Sequence, residues 1–274
     1  MGLWGKIENA RTDTSVAFML VYGMKNVGKT LNTLATCDLP CLYVLGEPRN
    51  IWRNIDAANE LRKANGLELI VVGENLIIFE YAEFEELIKF IHEHTGVNWD
   101  NLKTIVIDSL THIMSVGFMS EIVEEAHEGR SQKDKNMTKE IASQYKSTVE
   151  DYGVLRNGIV RLTDAIGKNA RRGITVICLA LEDEKQQMVE GSFMKVPLFA
   201  GKQYSKEMGG FFDLIGRVTP NIKVAKKDGK DIKTIEYPPI VSFASPNGDF
   251  QAKWTGLCSS PNKVFYFDLK KILS

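Results

Sequence analysis

Residues 23–30 read Gly-Met-Lys-Asn-Val-Gly-Lys-Thr, a glycine, four intervening residues and then Gly-Lys-Thr. Glycines let successive backbone N–H groups converge on an anion, and a helix starting at the lysine adds its positive dipole end. On this reading Gly23, Met24, Lys25, Asn26, Val27, Gly28, Lys29, Thr30 and Leu31 wrap a nucleotide triphosphate. Lys29 reaches the β- and γ-phosphates, where its charge also serves catalysis, and the Thr30 hydroxyl ligates Mg²⁺. The alternative is a glycine-rich turn with no ligand. It leaves unexplained why a buried strand precedes the loop and a helix follows it, the context this motif requires.

A phosphate loop needs a second metal ligand, a carboxylate at the end of another core strand. Residues 104–109, Thr-Ile-Val-Ile-Asp-Ser, supply Asp108, which would hold Mg²⁺ through water, with Ser109 beside it to tune that shell. Otherwise Asp108 simply caps the helix that follows. Hydrolysis further needs a group that orients water. No acid directly follows Asp108, so that role passes to Glu47 in "YVLGEPRN", at the carboxyl end of a strand where open α/β sheets bind ligands. The competing reading is a surface acid on a turn.

These residues need a scaffold, and the apolar pattern supplies one. Val16–Tyr22, Cys41–Gly46, residues 103–109 and residues 173–182 read as buried strands. Helices are expected over residues 29–37, 50–66, 83–96 and 154–170. "LELIVVGENLIIFEY" reads as two short strands around "GEN". The final third looks like short strands joined by turns, with "KKDGK" as a hairpin signal. Strands alternating with helices imply a mostly parallel sheet covered on both faces, extended by antiparallel strands. We read one domain over 1–274, with a lead-in at 1–15 and a C-terminal hairpin region at 221–274.

Composition narrows the function. The 274 residues carry a formal net charge of −1, so contact with nucleic acid would rest on local basic loops rather than overall charge. Cys37, Cys41, Cys178 and Cys258 form no CxxC pair and read as free thiols, as in a reducing cytoplasm. His92, His94, His112 and His127 form no metal constellation, and His112 belongs to a helix near the nucleotide. No apolar run is long enough to span a bilayer, and Lys6 stands where a myristoylation signal needs Ser or Thr. A cytoplasmic protein is expected.

The order of parts resembles the RecA-like ATPases, and within them the phage nucleotide-binding family that includes the Sak-type single-strand annealing ATPases. The stretches that carry the resemblance are "YGMKNVGKT", "YVLGEP", "TIVIDSLTHI", "EDYGVLRNGI", "VICLALEDEK", "PLFAGKQYSKEMGGFFDLIGRV" and "FQAKWTG". It implies a RecA-like P-loop fold, ATP and Mg²⁺ as cofactors, and self-association into rings or filaments. Gly23, Gly28, Lys29 and Thr30 then fall on phosphate-loop positions, Asp108 on the Mg²⁺ carboxylate and Glu47 on the water-orienting base. Glu182 falls where the family places a polar γ-phosphate sensor, usually glutamine or histidine. An acid there is unfavourable beside phosphates, and capping the strand is the alternative. Lys253 matches a basic residue that reaches the neighbouring subunit's nucleotide, against the alternative of a strand-edge lysine.

Single-stranded DNA is the expected partner. One candidate contact is residues 125–147, with Arg130, Lys133, Lys135, Lys139 and Lys146. Another follows the fourth strand, with Lys195, Lys202 and Lys206 interleaved with Phe193, Phe199 and Tyr204. Lysines track phosphates while aromatics stack bases. Solvated loops are the alternative, as they are for the lysine-rich hairpin of Lys223, Lys226, Lys227, Lys230 and Lys233. Two further function classes stay open, a regulatory or signalling NTPase without nucleic acid and a small-molecule kinase. The kinase fits less well, because Arg171 and Arg172 precede a strand rather than sit in a lid.

Overall fold

The computed structural model describes residues 17–93, 101–125, 149–186, 193–199, 208–227, 230–254 and 264–273. The chain alternates β1 (Phe18–Gly23), α1 (Lys29–Thr36), β2 (Cys41–Leu45), α2 (Trp52–Ala64), β3 (Leu76–Glu80), α3 (Phe84–Glu93) and β4 (Thr104–Asp108). A short α4 (Leu110–His112) then runs into π-helical turns over Ile113–Phe118. After α5 (Val149–Arg171) come β5 (Thr175–Gln186), β6 (Phe193–Pro197), β7 (Leu214–Lys227), β8 (Lys230–Ser242), β9 (Val264–Tyr266) and α6 (Leu269–Leu273).

The sheet order is β3-β2-β4-β5-β1-β7-β8-β9, with β6 pairing the end of β5. From β3 through β7 every neighbouring pair is parallel. This is the expected RecA-like P-loop architecture, with one strand, β5, between the phosphate-loop strand and the Asp108 strand. Alternate residues along each core strand face opposite layers, as a pleated strand requires. Leu20, Leu42, Ile105, Ile107, Val176 and Cys178 pack under α3 and α5, whereas Met19, Val21, Tyr43, Val106, Ile177 and Leu179 pack under α1 and α2. Both layers are built of buried apolar side chains, and the sheet they cover carries the loops at its carboxyl edge.

Four details differ from the expectations. Residues 68–72 form no strand, and only a single bridge joins Val72 to Leu76. Side-chain amides take the backbone groups a strand neighbour would have used. Asn59 bonds both the N–H and the C=O of Ile70, at 2.7 and 3.0 Å, and Asn75 accepts from Val71 N–H at 2.8 Å. The stretches "DLIGRVTP" and "NIKVAKK" are one strand, β7, whose register with β8 shifts between Thr219 and Asn221. Pro220 sits at that shift, where its missing N–H breaks no ladder bond. The antiparallel extension is present, yet its first strand pairs parallel with β1 over Leu214–Val218 before turning away with β8. Phe199, expected to stack bases, is buried in the core. A ring packed there has no face left for a base.

Candidate nucleotide-binding site

Gly23 ends β1 where the chain must pass close to β7. A Cβ at this position would lie 2.5 Å from the Val218 carbonyl oxygen, so the strand pairing itself demands glycine. The loop then uses left-handed backbone at Asn26 (φ 60°) and Gly28 (φ 92°) to reverse into α1. Asn tolerates that conformation better than most residues, and Gly carries no steric cost there. Asn32 donates its side-chain amide to the Gly28 carbonyl at 2.7 Å and pins the entry to the helix.

Loop residues 25–31 line a cavity of about 540 Å³ together with Glu47, Arg49, Asn54, Asp108, Ser109, His112 and Leu181. Lys29 is buried, and its Nζ donates to the carbonyl oxygens of Gly23 (2.9 Å) and Met24 (2.8 Å). Burial lowers its pKa to about 8, although the Asp108 carboxylate pulls the other way. An ammonium stripped of water and held by carbonyl dipoles gains strongly from an anion placed before it.

Thr30 Oγ1 donates to Asp108 Oδ2 at 2.6 Å, which brings the two predicted metal ligands together. The same carboxylate oxygen accepts from Tyr43 OH and from Arg49 Nη2, and Arg49 Nη2 also donates to Thr30 Oγ1 at 2.8 Å. The Tyr43 hydroxyl pKa rises with burial and with the neighbouring carboxylate, so it stays a donor. The donor set suits Mg²⁺. It offers a hydroxyl and a carboxylate oxygen, hard ligands for a hard ion, and a cationic guanidinium already bridges them. Ser109 does not join this pair. Its hydroxyl caps α4 by accepting from His112 N–H and donates to Glu47 Oε1 at 2.9 Å.

Arg49 and Tyr43 were not anticipated from sequence. Arg49 lies two residues past Glu47 in "GEPRN", a proximity that could have marked it. Tyr43 reads as one more apolar strand residue until its hydroxyl has a partner.

Other predicted residues lie apart from this cavity. Glu182 is held by Arg217, whose Nε donates to Oε2 at 2.7 Å and Nη2 to Oε1 at 3.2 Å, so its charge is matched within the chain. Lys253 Nζ donates to the carbonyls of Gly209 (3.2 Å) and Phe212 (2.5 Å) of the same chain. Lys195 lies on β6, where its carbonyl accepts from Tyr22 OH and its backbone bridges to Phe250. Phe193 is exposed. Lys223 forms an ion pair with Glu236 at 2.6 Å. Arg130, Lys133, Lys135, Lys139, Lys146, Lys202, Tyr204 and Lys206 lie outside the described residues. Cys37, Cys41 and Cys178 are free and buried. Among the described residues no cluster of three or more His, Cys, Asp or Glu could hold a metal, and no helix is long and apolar enough to cross a membrane.

A family model described as an AAA domain matches residues 16–239, from just before β1 into β8. The chain belongs to the AAA domain family. This AAA domain is therefore a P-loop ATPase domain. No curated protein sequence matches it significantly. Similar solved structures include the ATPase domain of G40P, at 13% identity over 81% of both chains with a TM-score of 0.40. A KaiC-like protein from the hyperthermophilic archaeon Pyrococcus horikoshii OT3 is 14% identical over 85% of this chain and 87% of that one, with a TM-score of 0.39. A DnaB-like replicative helicase is 13% identical over 88% of this chain and 59% of its own, with a TM-score of 0.41.

Proposed function

We propose that this AAA domain is a Mg²⁺-dependent ATPase that acts on single-stranded DNA in phage-type recombination, annealing or replication, as a cytoplasmic ring or filament. The observation that carries the nucleotide part is the convergence of Lys29, Thr30, Asp108 and Glu47 on one cavity at the carboxyl edge of the sheet. Lys29 meets the β- and γ-phosphates, Thr30 and Asp108 hold Mg²⁺, and Glu47, held by Ser109, orients water. Mg²⁺ supplies charge neutralisation at the phosphates when bound. The DNA part is supported by the sequence resemblance to the Sak-type ATPases and by exposed Phe193 beside Lys195 on β6. Lys253 completes a neighbour's site in the proposed assembly, and Glu182 with Arg217 would report on the γ-phosphate from within β5, where that strand begins to pair with β6. A single domain over 1–274 is part of the same reading.

The test is ATP turnover by the purified chain in Mg²⁺ or EDTA, with and without a mixed-sequence single-stranded oligonucleotide. The expected result is Mg²⁺-dependent turnover that rises with DNA, an effect that weakens as salt is raised. Turnover indifferent to DNA would favour the regulatory NTPase reading.

A further inference from the structure

The Thr30–Asp108 pair is already bridged by a cation of the protein's own. Arg49 Nη2 lies 2.8 Å from Thr30 Oγ1 and in ion-pair contact with Asp108 Oδ2, the two residues read above as holding Mg²⁺, one directly and one through water. The guanidinium is tethered on its other side as well, with Nη1 3.6 Å from Glu47 Oε2. The Asp108 carboxylate is almost fully buried, so an uncompensated charge there would be costly. With Lys29 and Arg49 against Asp108 and Glu47, these four formal charges cancel.

We propose that Arg49 is a built-in stand-in for the metal: it holds the Mg²⁺ position between Thr30 and Asp108 in the nucleotide-free protein and yields that position when Mg²⁺ arrives with nucleotide. This rests on the nucleotide reading above and adds to it. With Nη2 at 2.8 Å from Thr30 Oγ1 and against Asp108 Oδ2, the guanidinium fills the space that Mg²⁺ and its bridging water would take between these two residues, so one must leave. Arg49 has room to do so. It is about one-third exposed and forms part of the wall between the phosphate cavity and a second cavity of about 480 Å³, lined also by Leu45, Asn50, Ile51 and Trp52. The Glu47 contact gives the displaced guanidinium a partner on the way.

The consequence is a smaller dependence of nucleotide binding on metal. When Mg²⁺ is absent, Arg49 stays in place and shields the incoming β-phosphate from Asp108. Without Arg49, a metal-free nucleotide would face a bare carboxylate, whereas a Mg²⁺-nucleotide would enter a position already vacant.

The experiment measures binding of fluorescent mant-ADP to the full chain in Mg²⁺ and in EDTA, for the wild type and Arg49→Met. The wild type is expected to bind under both conditions. Arg49→Met is expected to lose metal-free affinity while keeping or improving Mg²⁺-dependent affinity, so that the Mg²⁺/EDTA ratio grows by about tenfold, within the usual range of site-to-site coupling. Arg49→Lys, which keeps a cation, should fall between them, and it carries the comparison if thermal melting shows Arg49→Met unfolded. In an Asp108→Asn background the effect of Arg49→Met on the ratio should disappear, because the carboxylate it shields is gone. An unchanged ratio, or an equal loss under both conditions, would overturn the proposal while leaving the nucleotide site intact. A folded wild type that binds mant-ADP under neither condition would overturn the nucleotide reading itself, and this inference with it.

Discussion

The Ser109 hydroxyl donates to Glu47 Oε1 at 2.9 Å, joining the residues that follow β4 and β2. Those strands are direct neighbours, with Leu45 paired to Asp108, so the two carboxylates reach one cavity from adjacent strand ends. Asp108 is buried beneath three donors, whereas Glu47 is partly exposed, lines the cavity and lies 3.6 Å from Arg49 Nη1. Two acids side by side thus stand in different surroundings, as the proposed roles of metal holder for Asp108 and water-orienting base for Glu47 require.

Glu47→Gln keeps the shape of this site and its hydrogen bond to Ser109 but removes the carboxylate. ATP binding should persist while turnover falls by about 10²-fold. Equilibrium binding and steady-state hydrolysis on the same preparation check both halves, and loss of binding would move the base elsewhere.

Lys29→Ala removes the cation proposed to meet the phosphates, and turnover should fall at least about 10²-fold. The fold should survive, because Lys29 contributes contacts to two loop carbonyls rather than to either core layer. Thermal melting alongside hydrolysis tests this, and near-normal turnover in a folded variant would defeat the nucleotide site.

Nucleotide affinity should depend on pH through Lys29. Burial lowers its pKa to about 8 in the free protein, below the usual lysine value of 10.5, and a bound phosphate would raise it again. The bound form therefore holds more protons than the free form above about pH 8. Affinity should be flat below that pH and decline above it, by up to tenfold per unit while one proton is taken up. Folding has its own sign: the unfolded chain binds the extra proton between about pH 8 and 10.5, so this group makes the empty protein more stable as pH rises through that window. Calorimetric titrations at pH 8.5–9 in buffers of different ionisation enthalpy would reveal the proton uptake.

Mixing variants tests the assembly. Lys253→Ala and Glu47→Gln should each hydrolyse ATP poorly, and a mixture should recover part of the activity, because some interfaces would pair an intact Glu47 with a neighbour's intact Lys253. Single-stranded DNA should raise the recovery. No rescue at high concentration, with both variants folded and binding ATP, would confine Lys253 to its hold on the Gly209 and Phe212 carbonyls.

Arg62 offers a stability test away from the site. It is buried on α2 and donates Nη1 to the carbonyls of Leu34 (2.9 Å) and Cys37 (3.0 Å), which ties α1 to α2. Arg62→Ala should destabilise by about 2–4 kcal/mol through carbonyls left unpaired in the core, read as a shift in the denaturant midpoint.

The phosphate loop, the strand before it, the helix after it and Asp108 at a strand end were all legible from sequence. Each depends on residues close together in the chain, where backbone freedom at glycine, apolar runs and helix periodicity act locally. The two-layer core was legible for the same reason, since strand alternation alone assigns Leu20 and Met19 to opposite faces. What tertiary structure decided were partnerships between distant residues. Arg49 reaches Asp108 across 59 positions, and Tyr43 across 65. Arg217 neutralises Glu182 only because β7 lies beside β1 and β1 beside β5. A side chain's type shows that it can donate or accept, but its partner is set by which strands lie adjacent, and that order follows from burying both faces of the whole sheet at once.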